Sequence, residues 1–134
     1  MITYIDMLDM QSRLHLHGGE MLFALSKEQI LSAYNGIGSA SMPAAFRWTL
    51  TALNPAFVVP AVLHDCYWAY YADGSDKDFY QSNADFEHNC ILCVNDTYGW
   101  YNPCRYIYRV KAREYRRLLD RFGKFAYLEA IKSR

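Results

Sequence analysis

The sequence lacks a long apolar run. Apolar residues make up 52% of its 134 residues, but no segment approaches the ~20 consecutive apolar residues that a membrane-spanning helix needs. Residues 1–6 also lack the basic start and the unbroken apolar stretch of a signal peptide. The sequence therefore predicts neither a membrane-spanning segment nor a signal peptide, and it leaves the cellular location open.

Cysteine is also scarce. The four cysteines, Cys66, Cys90, Cys93 and Cys104, are too few for the disulfide-dense scaffold of a small secreted domain. The spacing of Cys90 and Cys93 is typical of half a zinc site, but such sites usually contain a second close pair. Buried free thiols are therefore the favoured interpretation, with a zinc site as the alternative.

The chain has no net charge, with 14 basic and 14 acidic residues, but the two signs are unevenly distributed. Residues 105–134 contain ten of the lysines and arginines against three acidic residues, whereas residues 1–104 carry a net negative charge. This split predicts a basic face that could bind an anionic partner, either lipid headgroups or nucleic acid. The alternative is a solvated helix face that neutralises the rest of the fold.

Length and composition indicate a single domain that spans residues 1–134. A charged fraction of 21% and an apolar fraction of 52% are those of a globular chain, and this length can bury one sizeable core but not two. Residues 1–25 show only weak patterning and are expected to form an N-terminal arm. No alternation of polar and apolar residues is strong enough for a substantial sheet, so we expect a mostly α fold.

Two long helices are predicted in the centre of the chain, over about residues 56–72 and 78–95. The asparagine–proline pair at residues 54–55 has the order of a helix start. A turn of about five residues joins the two helices, which predicts an antiparallel hairpin. His64 lies eight residues before the turn and Asp85 seven residues into the second helix, so we expect these side chains to face each other.

Shorter patterns place helices on either side of this hairpin. Ser26, with Gln29 three positions later, has the capping-box pattern that opens a helix over residues 27–34. A second asparagine–proline pair, at residues 102–103, begins a basic amphipathic helix that ends near Phe122. The predicted architecture is therefore a two-helix core hairpin with flanking helices.

A glycine-containing loop follows the helix over residues 27–34. This loop begins at Tyr34 and contains Gly36 and Gly38, whose conformational freedom lets it present alternate backbone carbonyls. A calcium ion takes roughly six to eight oxygen ligands, many of them carbonyls. Asp65 can add a carboxylate to such a set, so the residues predict a calcium site.

The pair that is expected to face each other in the hairpin, His64 and Asp85, has the chemistry of a general base and its orienting group. A neutral imidazole can accept a proton from water at one nitrogen while the other donates to a carboxylate, which fixes the tautomer. Water is then the nucleophile, and no serine or cysteine is required. A structural histidine bonded to a carboxylate by chance is the alternative interpretation.

Three short patterns, Tyr-x-Gly-x-Gly, His-Asp and Ala-Asp, resemble in order and spacing those of the secreted phospholipase A2 superfamily. The resemblance covers about residues 30–123 and is strongest to the compact form found in parvovirus capsid proteins and in short bacterial and phage relatives. It implies a phospholipase A2-like core in which His64 is the general base and Asp85 orients it. It also implies calcium binding by the carbonyls of Tyr34, Gly36 and Gly38 and the carboxylate of Asp65.

One aromatic position departs from the family pattern. Family members usually have a tyrosine four residues after the histidine, whereas this chain has Trp68 there. Tyr67 and Tyr71 follow His64 on the same helical face, so either could hold the second aspartate instead. The activity implied by the resemblance is calcium-dependent hydrolysis of the sn-2 acyl ester of glycerophospholipids. The basic residues of 105–134 would bind the phospholipid surface, and nucleic acid is not the favoured partner.

Two other functions are compatible with these residues. A catalytically inactive phospholipase A2-like protein could serve as a binding, virion or effector module, and Trp68 in place of tyrosine slightly favours it. A metal phosphohydrolase of the HD type needs a further histidine ligand upstream, and none occurs between His17 and His64. The phosphohydrolase is therefore the least favoured of the three.

Overall fold

The structure, a computed structural model, describes residues 3–34 and 55–134. Helices make up 80% of these residues, and the described ranges contain no strand. The prediction of a mostly α fold is therefore confirmed. Within the same ranges, no helix is both long and apolar enough to cross a membrane.

The described ranges contain seven α-helices and one short 3₁₀ helix at Pro55–Phe57. The α-helices are, in chain order, α1 (Tyr4–Leu14), α2 (Met21–Ala24), α3 (Lys27–Tyr34), α4 (Val58–Tyr70), α5 (Asp76–Thr97), α6 (Pro103–Phe122) and α7 (Lys124–Lys132). The sequence predicted α3 and α6 with these bounds. The observed ends of α4 and α5 differ from the predicted ones by two residues each.

Helices α4 and α5 form an antiparallel hairpin around a five-residue turn. Gly74 lies in that turn with a φ of 89°, a left-handed conformation that glycine adopts without strain. Residues earlier on α4 contact residues later on α5, as expected for antiparallel helices. The Tyr67 hydroxyl donates to Asp78, whereas His64, one turn earlier on α4, contacts Asn83 further along α5.

The Asp78 carboxylate connects this hairpin to the last helix. It accepts hydrogen bonds from the hydroxyls of Tyr67 on α4 and Tyr127 on α7. The backbone N–H of Asp73 in the turn also donates to it. Tyr127 is fully buried, and its hydroxyl accepts from the Gly74 N–H at 2.9 Å. Burial first, and the bonded carboxylate second, raise the pKa of both tyrosines.

The core lies between α4, α5 and α6. Helix α6 packs along α5 and buries Ala112, Tyr115 and Leu119. On α4, Trp68 is almost fully buried, and its indole Nε1 donates to the Ser82 hydroxyl at 2.9 Å. Because α6 buries one side only, its other side is exposed, and this side includes Arg113, Arg117 and Arg121.

Residues 3–25, for which the sequence predicted an N-terminal arm, contain α1 and α2 and contribute buried side chains to the core. Thr3 and Asp6 form a reciprocal capping box that begins α1. Leu16 and Leu22 are buried, and the Tyr4 hydroxyl donates to the Leu22 carbonyl at 2.9 Å. Short helices broken by turns give no sustained helical period, so the sequence pattern did not reveal this packing.

All four cysteines are free thiols, and Cys66, Cys90 and Cys93 are buried. This agrees with the interpretation as buried free thiols for these three, whereas Cys104 is only partly buried. Burial raises the pKa of Cys66 and Cys93 to about 12, so both thiols stay protonated at neutral pH. The part of the chain that the structure describes contains no group of three or more histidine, cysteine or carboxylate side chains that could hold a metal ion.

Candidate active site

A cavity of about 320 Å³ lies between α4, α5 and the segment that leads into α2. Four of the predicted site residues line it: His64, Tyr67 and Tyr71 from the α4 side and Asp85 from α5. His17 contributes to the wall from the N-terminal segment, and apolar side chains of α2, α4 and α5 form much of the remainder. The structure thus brings half of the predicted residues to one concave site.

His64 is buried in the wall of this cavity, with 7% of its surface exposed. Its Nε2 lies 2.9 Å from Oδ1 of Asn83 on α5. The imidazole also packs against the Trp68 indole, at 4.2 Å between ring centroids, and against the Phe86 ring at 5.4 Å. One ring nitrogen and two aromatic neighbours therefore fix the position of the imidazole.

The hydrogen bond predicted between His64 and Asp85 is not among those that the described residues form, and this prediction is corrected. The Asp85 carboxylate instead lies 3.2 Å from Nδ1 of His17 and accepts from Gln81 at 3.1 Å. Side chains two positions apart on a helix point in nearly opposite directions. Because the hairpin register places Asn83 opposite His64, Asp85 is turned toward the N-terminal segment.

Asn83 is a site residue that the sequence reasoning missed. It is fully buried, and its Nδ2 donates to Oδ1 of Asp120 on α6 at 2.9 Å. It therefore connects His64 to a carboxylate that is distant in sequence. A signal was present, since Asn83 is a polar residue on the apolar face of α5, four positions after Phe79.

Asp65 lies next to the second ring nitrogen of His64. Its Oδ1 is 3.9 Å from His64 Nδ1, which is too long for a hydrogen bond. The Asp65 side chain is 23% exposed, and burial raises the pKa of its carboxyl, an effect that the neighbouring His64 partly opposes. A carboxylate so removed from water is costly unless a cation compensates it.

Tyr34 is the last residue of α3. Helix α3 packs against α4. Burial, together with the negative charge of Asp65, raises the pKa of the Tyr34 phenol. Two of the four predicted calcium positions, Tyr34 and Asp65, therefore lie within the range of an electrostatic interaction between their side chains. The other two, Gly36 and Gly38, lie outside the described residues.

The aromatic residues around His64 contact other partners than the expected Asp85. Tyr67 and Tyr71 line the cavity, but the Tyr67 hydroxyl donates to Asp78, and Tyr71 stacks on Tyr67 with 6.4 Å between ring centroids. Trp68 donates to a serine of α5. In residues 3–34 and 55–134, no hydrogen bond joins Tyr67 or Tyr71 to Asp85, whose carboxylate contacts His17 and Gln81 instead, so the support expected for it from these tyrosines is not observed.

Comparison of the chain with protein-family models, with curated proteins and with solved structures found no match. The site is therefore interpreted from its own chemistry. It consists of a buried imidazole with one hydrogen-bonded nitrogen, a half-buried carboxylate beside the other nitrogen, and a cavity with a largely apolar wall. Such an arrangement can accept a proton at the imidazole and hold an apolar part of a ligand in the cavity.

Proposed function

We propose that this chain is a phospholipase A2-like enzyme that hydrolyses the sn-2 acyl ester of glycerophospholipids in a calcium-dependent reaction. The observation that carries the proposal is the placement of two adjacent residues of α4. His64 lines the cavity, whereas Asp65 lies close enough to Tyr34, the last residue of α3, for its charge to act on the phenol. Calcium-assisted ester hydrolysis needs a general base and a carboxylate ligand for the ion, and these two residues supply those groups.

His64 acts in this proposal as the general base. Its Nε2 is bonded to Asn83, so Nδ1 accepts a proton from water while the water oxygen attacks the ester carbonyl carbon. The tetrahedral intermediate collapses as the bond from the carbonyl carbon to the glycerol oxygen breaks, and His64 returns the proton to that leaving oxygen. The products are a fatty acid and a lysophospholipid, and the imidazole regains its starting form.

The Asp65 carboxylate would hold calcium together with the carbonyls of Tyr34, Gly36 and Gly38. When bound, the ion supplies positive charge that polarises the ester carbonyl and stabilises the oxyanion. Asp65 fits this role because its carboxylate is 23% exposed and lies 3.9 Å from the His64 ring, too far for a hydrogen bond. Oxygen ligands of this kind are those that calcium prefers.

The exposed face of α6 suits adsorption to an anionic phospholipid surface. Arg113, Arg117 and Arg121 are exposed at intervals of four residues, which places them along one side of the helix. Exposed Ile107 and Val110 continue this stripe toward the start of α6. Each cation near an anionic membrane contributes about 1 kcal/mol, and the apolar side chains can enter the interface. This mixture favours a phospholipid surface over nucleic acid.

A second candidate is a calcium-binding module of the same kind without catalytic activity. The observation that favours it is the partner of His64, which is the neutral amide of Asn83 rather than a carboxylate. Hydrogen bonds between neutral groups are about half as strong as charge-assisted ones, so the amide stabilises an imidazolium less. Calcium binding without hydrolysis would identify this candidate.

Fatty-acid release from vesicles of phosphatidylcholine and phosphatidylglycerol tests the proposal, first with millimolar calcium and then with EGTA. We expect release that requires calcium and that falls to background in His64→Gln. His88→Gln is the matched control, because His88 is exposed on α5 and stacks on His17 outside the bonds of His64. Release that persists in EGTA or in His64→Gln contradicts the proposal. Absence of release, with calcium raising the melting temperature, supports the second candidate.

A further inference from the structure

We propose that Asn83 and Asp120 are positioning residues that hold His64 in the Nε2–H tautomer and leave Nδ1 as the proton acceptor. The catalytic consequence rests on the proposed function, whereas the tautomer itself does not. The three side chains form a hydrogen-bond network across three helices, from the imidazole on α4 through the amide on α5 to the carboxylate on α6. Both of its hydrogen bonds measure 2.9 Å.

The Asp120 carboxylate determines which group donates in each hydrogen bond of this network. An ionised carboxylate accepts hydrogen bonds and cannot donate them, so the amide group that faces Asp120 is the NH₂ of Asn83. The opposite end of the amide is an oxygen, which only accepts, and this end faces His64. An unprotonated Nε2 would set two acceptors against each other in a buried site, an arrangement that proteins avoid. The Nε2 atom must therefore carry the proton.

The surroundings hold the amide in this orientation. Asn83 is fully buried, so water does not compete for its hydrogen bonds. Arg116 lies one turn before Asp120, with its Nε 3.7 Å from the Asp120 carboxylate. The same arginine pairs with Glu87 on α5 at 3.0 Å, one turn after Asn83. These ion pairs hold α6 against α5 beside the amide. They therefore fix the distance between Asn83 and Asp120.

The tautomer can be measured directly in the full chain. Long-range ¹H–¹⁵N correlation NMR separates protonated from unprotonated ring nitrogens of histidine. At pH about 9, above the range in which ordinary histidines titrate, we expect His64 to give the Nε2–H pattern. The His64→Gln variant assigns its signals among the 4 histidines of the chain. An Nδ1–H pattern, or a mixture of both, would overturn the proposal.

Variants of Asn83 and Asp120 then show whether these residues orient His64 or only pack in the core. Asn83→Leu removes the acceptor and should populate both tautomers, with hydrolysis reduced about 100-fold. The carboxylate left behind can be hydrated, since the Asp120 side chain is 29% exposed. The double variant Asn83→Asp/Asp120→Asn reverses the second hydrogen bond at constant charge, so it should restore the Nε2–H tautomer and at least about a tenth of the activity.

Asp9→Asn is the control, because the Asp9 side chain is 65% exposed on α1, outside the three helices that carry these side chains, and its replacement should change neither measurement. A folded Asn83→Leu variant with an unchanged His64 tautomer would overturn the proposal, since a purely structural residue would behave in that way. If the wild type has the expected tautomer but hydrolyses no phospholipid, the positioning role stands and the proposed function fails. If it hydrolyses phospholipid with His64 in the Nδ1–H form, the positioning role fails and the proposed hydrolytic function stands.

Discussion

Replacement of Asp65 by asparagine tests two effects of its carboxylate: the destabilisation of the calcium-free fold and the binding of calcium. Burial raises the pKa of this carboxyl above its ordinary value of 3.8, so the folded chain holds the proton more tightly than the unfolded chain. The stability that this group contributes is therefore present below pH 3.8 and is lost as the pH rises through the folded-state pKa. At pH 7, ionised Asp65 destabilises the calcium-free fold.

Asparagine keeps the shape of the side chain and removes its charge. Asp65→Asn should therefore raise the calcium-free unfolding free energy by about 1 kcal/mol, the usual size of a relieved local conflict. For a chain of this length, that corresponds to roughly 2–8 °C in Tm. Calcium at about 100 times its Kd should stabilise the wild type by about 2.7 kcal/mol and leave the variant unchanged. Addition of calcium should thus reverse the order of the two melting temperatures.

Thermal unfolding followed by circular dichroism, with EGTA and with saturating calcium, measures both effects. Asp9→Asn is the matched control, because the Asp9 side chain is 65% exposed and lies on α1. It should alter neither the calcium-free Tm nor the response to calcium. A calcium response of undiminished size in Asp65→Asn would refute calcium binding at Asp65. A lower calcium-free Tm in that variant would refute the argument from desolvation.

Three further predictions concern other parts of the site and core. Asp85→Ala should reduce vesicle hydrolysis by less than about 10-fold, whereas loss of the base at His64 should cost about 100-fold or more, because Asp85 bonds His17 rather than His64. Tyr127→Phe removes the hydroxyl that bonds Asp78 and should lower the urea-derived unfolding free energy by about 2 kcal/mol. Burial raises the pKa of Tyr115 to about 12, so its contribution to stability, complete below pH 10.0, should be lost between that pH and about 12 in urea titrations.

Each of these has an outcome that contradicts it. A loss of hydrolysis in Asp85→Ala as large as that in His64→Gln would restore Asp85 as the orienting group. A change below about 0.5 kcal/mol in Tyr127→Phe would mean that the hydroxyl contributes no more than an ordinary surface group. Equal unfolding free energies at pH 10 and pH 12 would contradict the difference in tyrosine pKa between the folded and unfolded chain.

The ends of several helices could be predicted because local chemistry determines them. Asn102 accepts from the backbone N–H of Cys104, and Pro103 occupies the first helical position, so two adjacent residues suffice to locate the start of α6. Ser26 and Gln29 form the reciprocal capping bonds that open α3. In the same way, the adjacency of His64 and Asp65 on one helix predicts that they face different neighbours, because successive side chains differ by about 100°.

The residue opposite His64 could not be predicted in this way, because it depends on the register of the hairpin. Counting along the chain from the turn favoured Asp85, whereas packing of α4 on α5 places Asn83 there. These two candidates are two positions apart, which is also the error of the predicted helix ends. Local patterns locate helix ends only to about two residues, and a shift of two residues turns a side chain by about 200°. Packing, rather than local pattern, therefore chose the partner of the histidine.

The carboxylate behind that partner illustrates the same limit at longer range. Asp120 lies 37 residues from Asn83 and belongs to a different helix, so no short motif contains both. Its contribution to the site arises only because α6 packs along α5 with Asp120 on the near side. A buried amide can extend the reach of a carboxylate by one hydrogen bond while it preserves the direction of that bond. A sequence pattern around a histidine can therefore identify a base, whereas the group that orients it follows from how the helices pack.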